Sequence, residues 1–129
     1  MNPMNPMNPT NPMNPNGPNG ANSMELKELD IEIKNIVDQI IQKYRPMKII
    51  LFGSAARRGH GEVHDLDFLI IKEDVPSLGL ERIRELEGLL ERNVAADMLV
   101  YRPDEFDERI KLGDPFITTI LREGRVLYG

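Results

Sequence analysis

The sequence predicts an α+β domain in which a small mixed β-sheet of three to four strands is flanked by helices. Two observations support this prediction. Apolar residues recur at three- and four-residue steps in several segments, which indicates amphipathic helices. Short, apolar, β-branched segments alternate with them and are bounded by proline or glycine, which is typical of buried strands. The chain has 129 residues, a length that favours one domain, and we expect that domain to comprise residues 24–129.

Four helices are expected in this domain. They cover residues 24–44, 77–92, 104–111 and 115 to about 123. Ser23 is the candidate N-cap of the first helix, and Gly88 weakens the prediction of the second. Asp114 and Pro115 form a cap followed by proline at the first helical position, which is a favoured way to begin the fourth helix. Gly124 stands where the C-terminal cap of that helix is expected.

Three strands are expected from the short apolar segments. They cover residues 48–52, 65–71 and 94–101, and residues 126–128 are a candidate edge strand. The longest apolar runs, such as residues 47–52, are far too short to span a bilayer.

The first 23 residues differ in composition from the rest of the chain. They repeat Met-Asn-Pro with small variations, contain six of the ten prolines and carry no charged side chain. Proline lacks an amide donor and asparagine and glycine favour turns, so this stretch is predicted to be a disordered Asn/Pro-rich tail. Either a natural low-complexity tail or a segment added for expression would explain it, and we assign it no function.

Charge and cysteine content exclude several classes of protein. A net charge of −5 argues against general nucleic-acid binding, which needs a surplus of lysine and arginine. The absence of cysteine excludes disulfides and thiolate metal sites. No charged segment followed by an apolar one precedes the domain, so no signal peptide is expected. These features together predict a soluble, cytoplasmic protein.

Two aspartates, Asp65 and Asp67, stand at the start of the second predicted strand. Residues two apart on a strand point to the same face with Cα atoms about 6.5 Å apart, while Leu66 and Phe68 point into the core. Two carboxylates so spaced can bind a hard cation such as Mg²⁺. The alternative is a pair of solvated side chains on an exposed face. That alternative predicts polar residues at positions 69 and 71, where the chain is apolar, so the pattern favours a site at the strand end.

Gly53 and Ser54 follow the first predicted strand directly. Glycine lets the backbone approach a ligand closely, and serine supplies a hydroxyl and an amide donor. If a short helix begins near Ser54, its amides form an anion site, and Arg57 lies one turn further on, where it can neutralise phosphate. The alternative is an ordinary strand-to-helix turn with a serine cap. The sequence is not a P-loop, because the Gly-x-x-x-x-Gly-Lys-Ser/Thr pattern is absent.

Together these residues resemble the motif of the minimal nucleotidyltransferases, a branch of the DNA polymerase β superfamily. The order is an apolar strand, Gly53-Ser54, Arg57 three residues after the serine, and then Asp65 and Asp67 leading a second apolar strand. The resemblance covers nearly all of residues 24–129 and implies the nucleotidyltransferase fold.

Members of that family place a third catalytic carboxylate at the start of a later strand, and Asp97 occupies this position. Its alternative is a surface aspartate at a strand end. The chain differs from the usual motif at two positions: Arg58 stands where the family commonly has glycine, and His64 stands where it has serine before the first aspartate.

The resemblance implies a Mg²⁺-dependent transfer of a nucleoside monophosphate, usually AMP, from a nucleoside triphosphate to a hydroxyl. The catalytic residues would be Asp65, Asp67 and Asp97, which would also hold two metal ions. The phosphates would be bound by Gly53, Ser54 and Arg57. Proteins of this branch are typically antitoxins encoded beside a HEPN-domain toxin, whose tyrosine is the acceptor. The resemblance thus implies a HEPN-domain partner, and with it a hetero-oligomer or homo-oligomer.

Two other functions compete with this interpretation. A catalytically inert antitoxin could neutralise its partner by contact alone, with a vestigial nucleotide site; three intact carboxylates argue against it. A nucleotide-sugar enzyme could use Asp-x-Asp for its metal, but the chain is too short for one and Gly53-Ser54 would be unexplained.

Overall fold

A computed structural model describes residues 25–57, 63 and 65–129 of the chain. Within these residues the sheet has four strands: β1 (Lys48–Phe52), β2 (Leu66–Ile71), β3 (Ala96–Tyr101) and β4 (Arg125–Tyr128). The strands lie in the order β3-β2-β1-β4. Strand β1 is antiparallel to both β2 and β4, whereas β2 and β3 are parallel. The predicted mixed sheet is confirmed, and residues 125–128 form the edge strand that the sequence indicated.

The described part of the chain also forms four α-helices: α1 (Leu26–Gln39), α2 (Gly79–Glu87), α3 (Pro103–Lys111) and α4 (Pro115–Glu123). The side chain of Asp114 accepts hydrogen bonds from the amides of Phe116 and Ile117, which confirms the predicted cap of α4. Gly124 caps the other end, but with φ of −75° it is not left-handed. Glycine is needed there for space, because a Cβ would lie 2.5 Å from the carbonyl oxygen of Ile120.

The first helix differs from its prediction at both ends. Its N-cap is Glu25, which forms a capping box with Glu28, and not Ser23, which lies outside the described residues. After Gln39 the helix continues to Tyr44 as a π-helical turn. Arg45 then ends it in the left-handed conformation, with φ of 59°. The apolar periodicity of residues 26–44 thus predicted a helix but could not distinguish its α and π portions.

The second helix ends five residues earlier than the sequence indicated, with Gly88 as its C-cap. Contacts with α1 explain this difference. The side-chain amide of Gln39 donates to the carbonyl of Glu91 at 2.6 Å and accepts from the amide of Glu91 at 2.8 Å. Because the amide of Glu91 donates to Gln39, it is not available to donate to the carbonyl of Glu87, as continuation of α2 would require.

The two faces of the sheet bury alternate residues of the same strands. One face carries Ile49, Leu51, Leu66, Phe68, Ile70, Ala96, Met98 and Val100, which pack with α1, the π-helical turn and α2. We call it the helix-covered face. The other face carries Ile50, Leu69 and Ile71, which pack with Phe106 of α3 and Ile117 and Ile120 of α4. We call it the carboxylate face, since Asp67 and Asp97 alternate with the residues of the first set.

An ion pair links the helices of the two faces around the edge strand β3. Arg82 of α2 is only 3% exposed. Its guanidinium donates to both carboxylate oxygens of Glu105 in α3, at 2.7 and 3.0 Å, and to the carbonyl of Val100 in β3, at 3.1 Å. The hydrogen bond from Arg82 lowers the pKa of Glu105 to about 2. Burial of this charge is possible because its donors are satisfied.

Candidate active site

The predicted carboxylates lie at one end of the carboxylate face. Asp67 of β2 is directly opposite Phe52 of β1 on one side and opposite Asp97 of β3 on the other. Neighbouring strands are about 4.8 Å apart, so the two aspartates occupy adjacent positions in one row. Asp65 precedes β2 and is exposed, Asp67 is half-buried and Asp97 is exposed. The structure therefore brings the three sequence-predicted carboxylates to one end of the sheet.

Burial of the neighbouring residues explains why Asp67 faces this way. Leu66 and Phe68 are completely buried in the helix-covered face, as the sequence predicted. Alternation along the strand then directs Asp67 to the opposite face. Further along that face, Leu69 and Ile71 are covered by α3 and α4. The acidic residues thus lie where the apolar covering of the sheet ends.

The electrostatic environment of Asp67 favours its protonated form. Partial burial raises the pKa of its carboxyl above the ordinary value, and the negative charges of Asp97 and Asp65 raise it further. The positive charge of Arg57 acts in the opposite direction. The site therefore carries more negative charge than its own cationic side chain compensates.

Such a site is chemically suited to a hard divalent cation. Carboxylate oxygens are the ligands that Mg²⁺ prefers, and a cation would relieve the repulsion among the aspartates. Within the described part of the chain, no three acidic or histidine side chains already converge closely enough to form a ligand set. The residue types and positions fit a metal ion, but the carboxylates would have to turn toward one another to coordinate it.

Gly53 and Ser54 lie beside this row. A short helix was expected near Ser54, and the structure has a single 3₁₀ turn, Gly53–Ala55, that begins one residue earlier. Gly53 has φ of 72°, a conformation that favours glycine. A Cβ at this position would overlap the carboxylate of Asp67 and lie 3.2 Å from its Cγ. Glycine is therefore required here by the approach of Asp67, in addition to any ligand.

Arg57 lies close enough to affect Asp67, but its guanidinium is paired with another residue. Its Nη1 atom lies 3.6 Å from Oε1 of Glu123, at the end of α4, and both side chains are about two-fifths exposed. No local sequence pattern indicates this pair, because the two residues are far apart in the chain. Arg58 and His64, the two departures from the family motif, lie outside the described residues.

A small cavity adjoins the row of carboxylates, between β1 and α4. Its volume is about 230 Å³. The cavity is lined by Phe52, Phe116, Thr119 and Ile120. Gly53 lies on the side of Asp67, and the Arg57–Glu123 pair lies at the rim. Sequence reasoning did not identify Phe116. A weak signal existed, since Phe116 is a large aromatic residue outside the buried positions Ile117 and Ile120 of its helix.

A larger cavity, of about 570 Å³, lies elsewhere, between α2, β3 and α3. The Arg82–Glu105 ion pair forms part of its wall, and none of the predicted site residues lines it. Cavity volume alone therefore does not identify the acidic row as the candidate site. No helix in the described residues has the length and apolar character needed to cross a membrane.

Comparisons with known proteins identify the family of the chain. Residues 34–129 match the family described as "Polymerase beta, Nucleotidyltransferase". A protein of Methanocaldococcus jannaschii named "Putative protein adenylyltransferase" is 36% identical over a match of 98 positions, and this match covers 74% of this chain and 94% of that protein. No solved structure matches the chain significantly. The chain therefore belongs to the polymerase β nucleotidyltransferase family, as a minimal nucleotidyltransferase of α+β fold.

Proposed function

We propose that this nucleotidyltransferase transfers AMP from Mg²⁺-ATP to a hydroxyl group of a partner protein. The observation that carries the proposal is the row formed by Asp67 and Asp97, with Asp65 adjacent and the turn of Gly53 against Asp67. The carboxylates that would hold metal ions and the glycine-serine turn that would bind phosphate are therefore close enough for one nucleotide to contact both. The Methanocaldococcus jannaschii protein, by its name, supports adenylyl as the group and protein as the acceptor.

In the proposed reaction, the hydroxyl oxygen attacks the α-phosphorus of the nucleotide. A bond forms between them, the bond from the α-phosphorus to the oxygen bridging to the β-phosphate breaks, and pyrophosphate leaves. Asp97 accepts the proton of the attacking hydroxyl. Two Mg²⁺ ions, held by Asp65, Asp67 and Asp97, would neutralise the charge that develops on the attacking and leaving oxygens.

The phosphates would be bound by Gly53, Ser54 and Arg57. Arg57 must for this purpose release Glu123 or share its guanidinium between both groups. An exposed ion pair of this kind contributes about 0–1 kcal/mol, whereas a charge-assisted contact contributes about 1.5–3 kcal/mol. The difference between these free energies favours the contact of Arg57 with phosphate. The ion pair with Glu123 therefore does not prevent nucleotide binding.

The acceptor would be presented by another protein, in line with the name of the Methanocaldococcus jannaschii protein. In line with the family resemblance, we propose a HEPN-domain toxin as this partner, and the chain as the antitoxin that modifies it. Acceptor binding then belongs on the side of Asp97, since the phosphate-binding turn lies at the other end of the row.

The experiment incubates the protein with a HEPN-domain protein encoded by a neighbouring gene, Mg²⁺ and each nucleoside triphosphate in turn. Mass spectrometry of the partner should show the gain of one AMP. Asp67→Asn keeps the size of the side chain but removes a negative charge, so it should still bind the partner while transferring no nucleotide. Asp107→Asn, an exposed change on α3, is the matched control and should transfer normally.

If the natural protein inhibits its partner without changing its mass under any of these conditions, the enzymatic proposal is wrong. Neutralisation by contact alone would then be the function. If Asp67→Asn transfers AMP at the rate of the Asp107→Asn control, the carboxylate row does not form the active site.

A further inference from the structure

We propose that the small cavity between β1 and α4 binds the nucleobase of the nucleoside triphosphate, with Phe52 and Phe116 as its aromatic walls. This inference rests on the proposed function, since it assumes that a nucleotide binds at the carboxylate row. It adds to that function the site that recognises the base and the residues that form it.

The size and aromatic lining of the cavity suit a single ring system. The rings of Phe52 and Phe116 meet edge to face, with centroids 5.7 Å apart and planes at 88°. A volume of about 230 Å³ is below the range of roughly 300–1,000 Å³ for sites that enclose a whole drug-sized ligand. The cavity therefore has room for one part of a nucleotide, such as its base, and not for the entire molecule.

The position of the cavity connects it to the proposed catalytic residues. Phe52 is the residue of β1 directly opposite Asp67, and Gly53 both lines the cavity and contacts the carboxylate of Asp67. The separation between neighbouring strands is about 4.8 Å. A nucleotide whose α-phosphate lies near Asp67 can thus place its base in the cavity without crossing another element of the fold.

The chemistry of the walls favours the base over the phosphates. The lining is mainly apolar and includes Phe52, Phe116 and Ile120. A phosphate group placed against such residues would lose its hydration without gaining hydrogen bonds. A base has an apolar face for these walls and polar edges that can reach the hydroxyl of Thr119. Arg57 and Glu123 remain at the rim, where Arg57 is available to phosphate oxygens.

Exposure of Phe116 provides a further argument. This side chain is 46% exposed although it contacts Phe52. A stacked base would cover it, and stacking on an aromatic side chain contributes substantially to nucleic-acid binding wherever it occurs. A partner's acceptor side chain is the competing occupant, but the cavity lies on the opposite side of Asp67 from Asp97, where we expect the acceptor.

The test compares two ligands by titration calorimetry: Mg²⁺-ATP, which has a base, and Mg²⁺-tripolyphosphate, which has none. Phe116→Ala should weaken ATP binding about fivefold or more, from the usual contribution of base stacking, and leave tripolyphosphate binding unchanged. Leu121→Ala is the matched control, because Leu121 is similarly exposed on α4 but does not line the cavity. It should change neither affinity.

A second variant protects the test against a loss of fold. Phe116→Leu retains an apolar side chain and should give a smaller loss that is again confined to ATP. Equal affinities of natural and Phe116→Ala protein for ATP would overturn the inference, as would equal losses for both ligands. If ATP binds normally to Phe116→Ala but transfer to the partner fails, the cavity binds the acceptor instead. If the natural protein binds neither ligand, the proposed function fails first and this inference fails with it.

Discussion

The two faces of the sheet are built from the same strands but have different compositions. On the helix-covered face, every inward position of β1, β2 and β3 is apolar from one end of the strand to the other. On the carboxylate face, β2 carries apolar Leu69 and Ile71 against α3 and α4, whereas Asp67 and Asp97 lie at the other ends of β2 and β3. The inward positions of the helix-covered face all belong to the hydrophobic core. On the carboxylate face, some positions belong to the core and others to the candidate site.

This difference shows how a chain with a domain of about a hundred residues can accommodate an acidic site. The larger core on the helix-covered face anchors the strands, so the carboxylate face can leave part of its surface uncovered. Substitutions on the two faces should therefore have opposite consequences, with stability lost on one and function lost on the other.

The largest effect is expected from neighbouring residues of β2 that point to opposite faces. Phe68 is completely buried, and Phe68→Ala should lower the free energy of unfolding by about 3–5 kcal/mol. Asp67→Asn should instead raise it at neutral pH in metal-free protein, because a partly buried negative charge and its repulsion from Asp97 and Asp65 are removed. Urea denaturation of both variants measures these changes.

The raised pKa of Asp67 determines how the effect of Asp67→Asn on stability depends on pH. A carboxyl whose pKa is raised by folding destabilises the folded state once it ionises, so stability falls as the pH rises above the ordinary value of 3.8. The advantage of Asp67→Asn should accordingly be present at pH 7 and disappear near pH 3. If Asp67→Asn destabilised the protein as Phe68→Ala does, the distinction between the two faces would be wrong.

An intermediate effect is expected where the two faces are joined, at the Arg82–Glu105 ion pair. Glu105→Gln leaves a buried guanidinium without its carboxylate and should cost about 1–3 kcal/mol at pH 7. Because folding lowers the pKa of Glu105 from 4.5 to about 2, its contribution is complete above pH 4.5 and is lost as the pH falls toward 2. The variant should be correspondingly less sensitive to pH in that range.

Thermal unfolding between pH 2 and pH 7 measures this contribution, and Glu108→Gln, an exposed change on the same helix, is the control. Identical pH profiles for the natural protein and Glu105→Gln would mean that the pair does not link the two layers of helices energetically.

The smallest effect is expected at Glu123, which borders the site without belonging to the carboxylate row. Glu123→Gln frees Arg57 from an exposed ion pair worth at most about 1 kcal/mol, so the affinity for Mg²⁺-tripolyphosphate should rise by up to about fivefold. Calorimetric titration of the natural protein and the variant detects this gain. Weaker binding would show that Glu123 orients Arg57 toward phosphate instead of competing for it.

The parts of the fold that were predictable from sequence depend on local periodicity. The position of Asp67 relative to Leu66 and Phe68 follows from alternation along one strand, and the Asp114 cap follows from neighbouring residues. The early end of α2 depends on a contact between Gln39 and Glu91, 52 residues apart, for which the sequence contains no local signal. The Arg57–Glu123 pair and the cavity beside Phe116 were missed for the same reason.

The pairing of Asp67 with Asp97 has a consequence for the order in which the molecule can assemble. Strands β1 and β2 are antiparallel neighbours, but β2 and β3 are parallel, and parallel strands require a crossover segment between them. Here that segment contains α2, and contacts between residues so distant in the chain are slow to form because loop closure precedes the gain in energy. The acidic row is thus complete only after the third strand has docked. A partly folded chain could carry the glycine-serine turn and two of the aspartates yet have no complete row, so nucleotide chemistry would be confined to fully folded molecules.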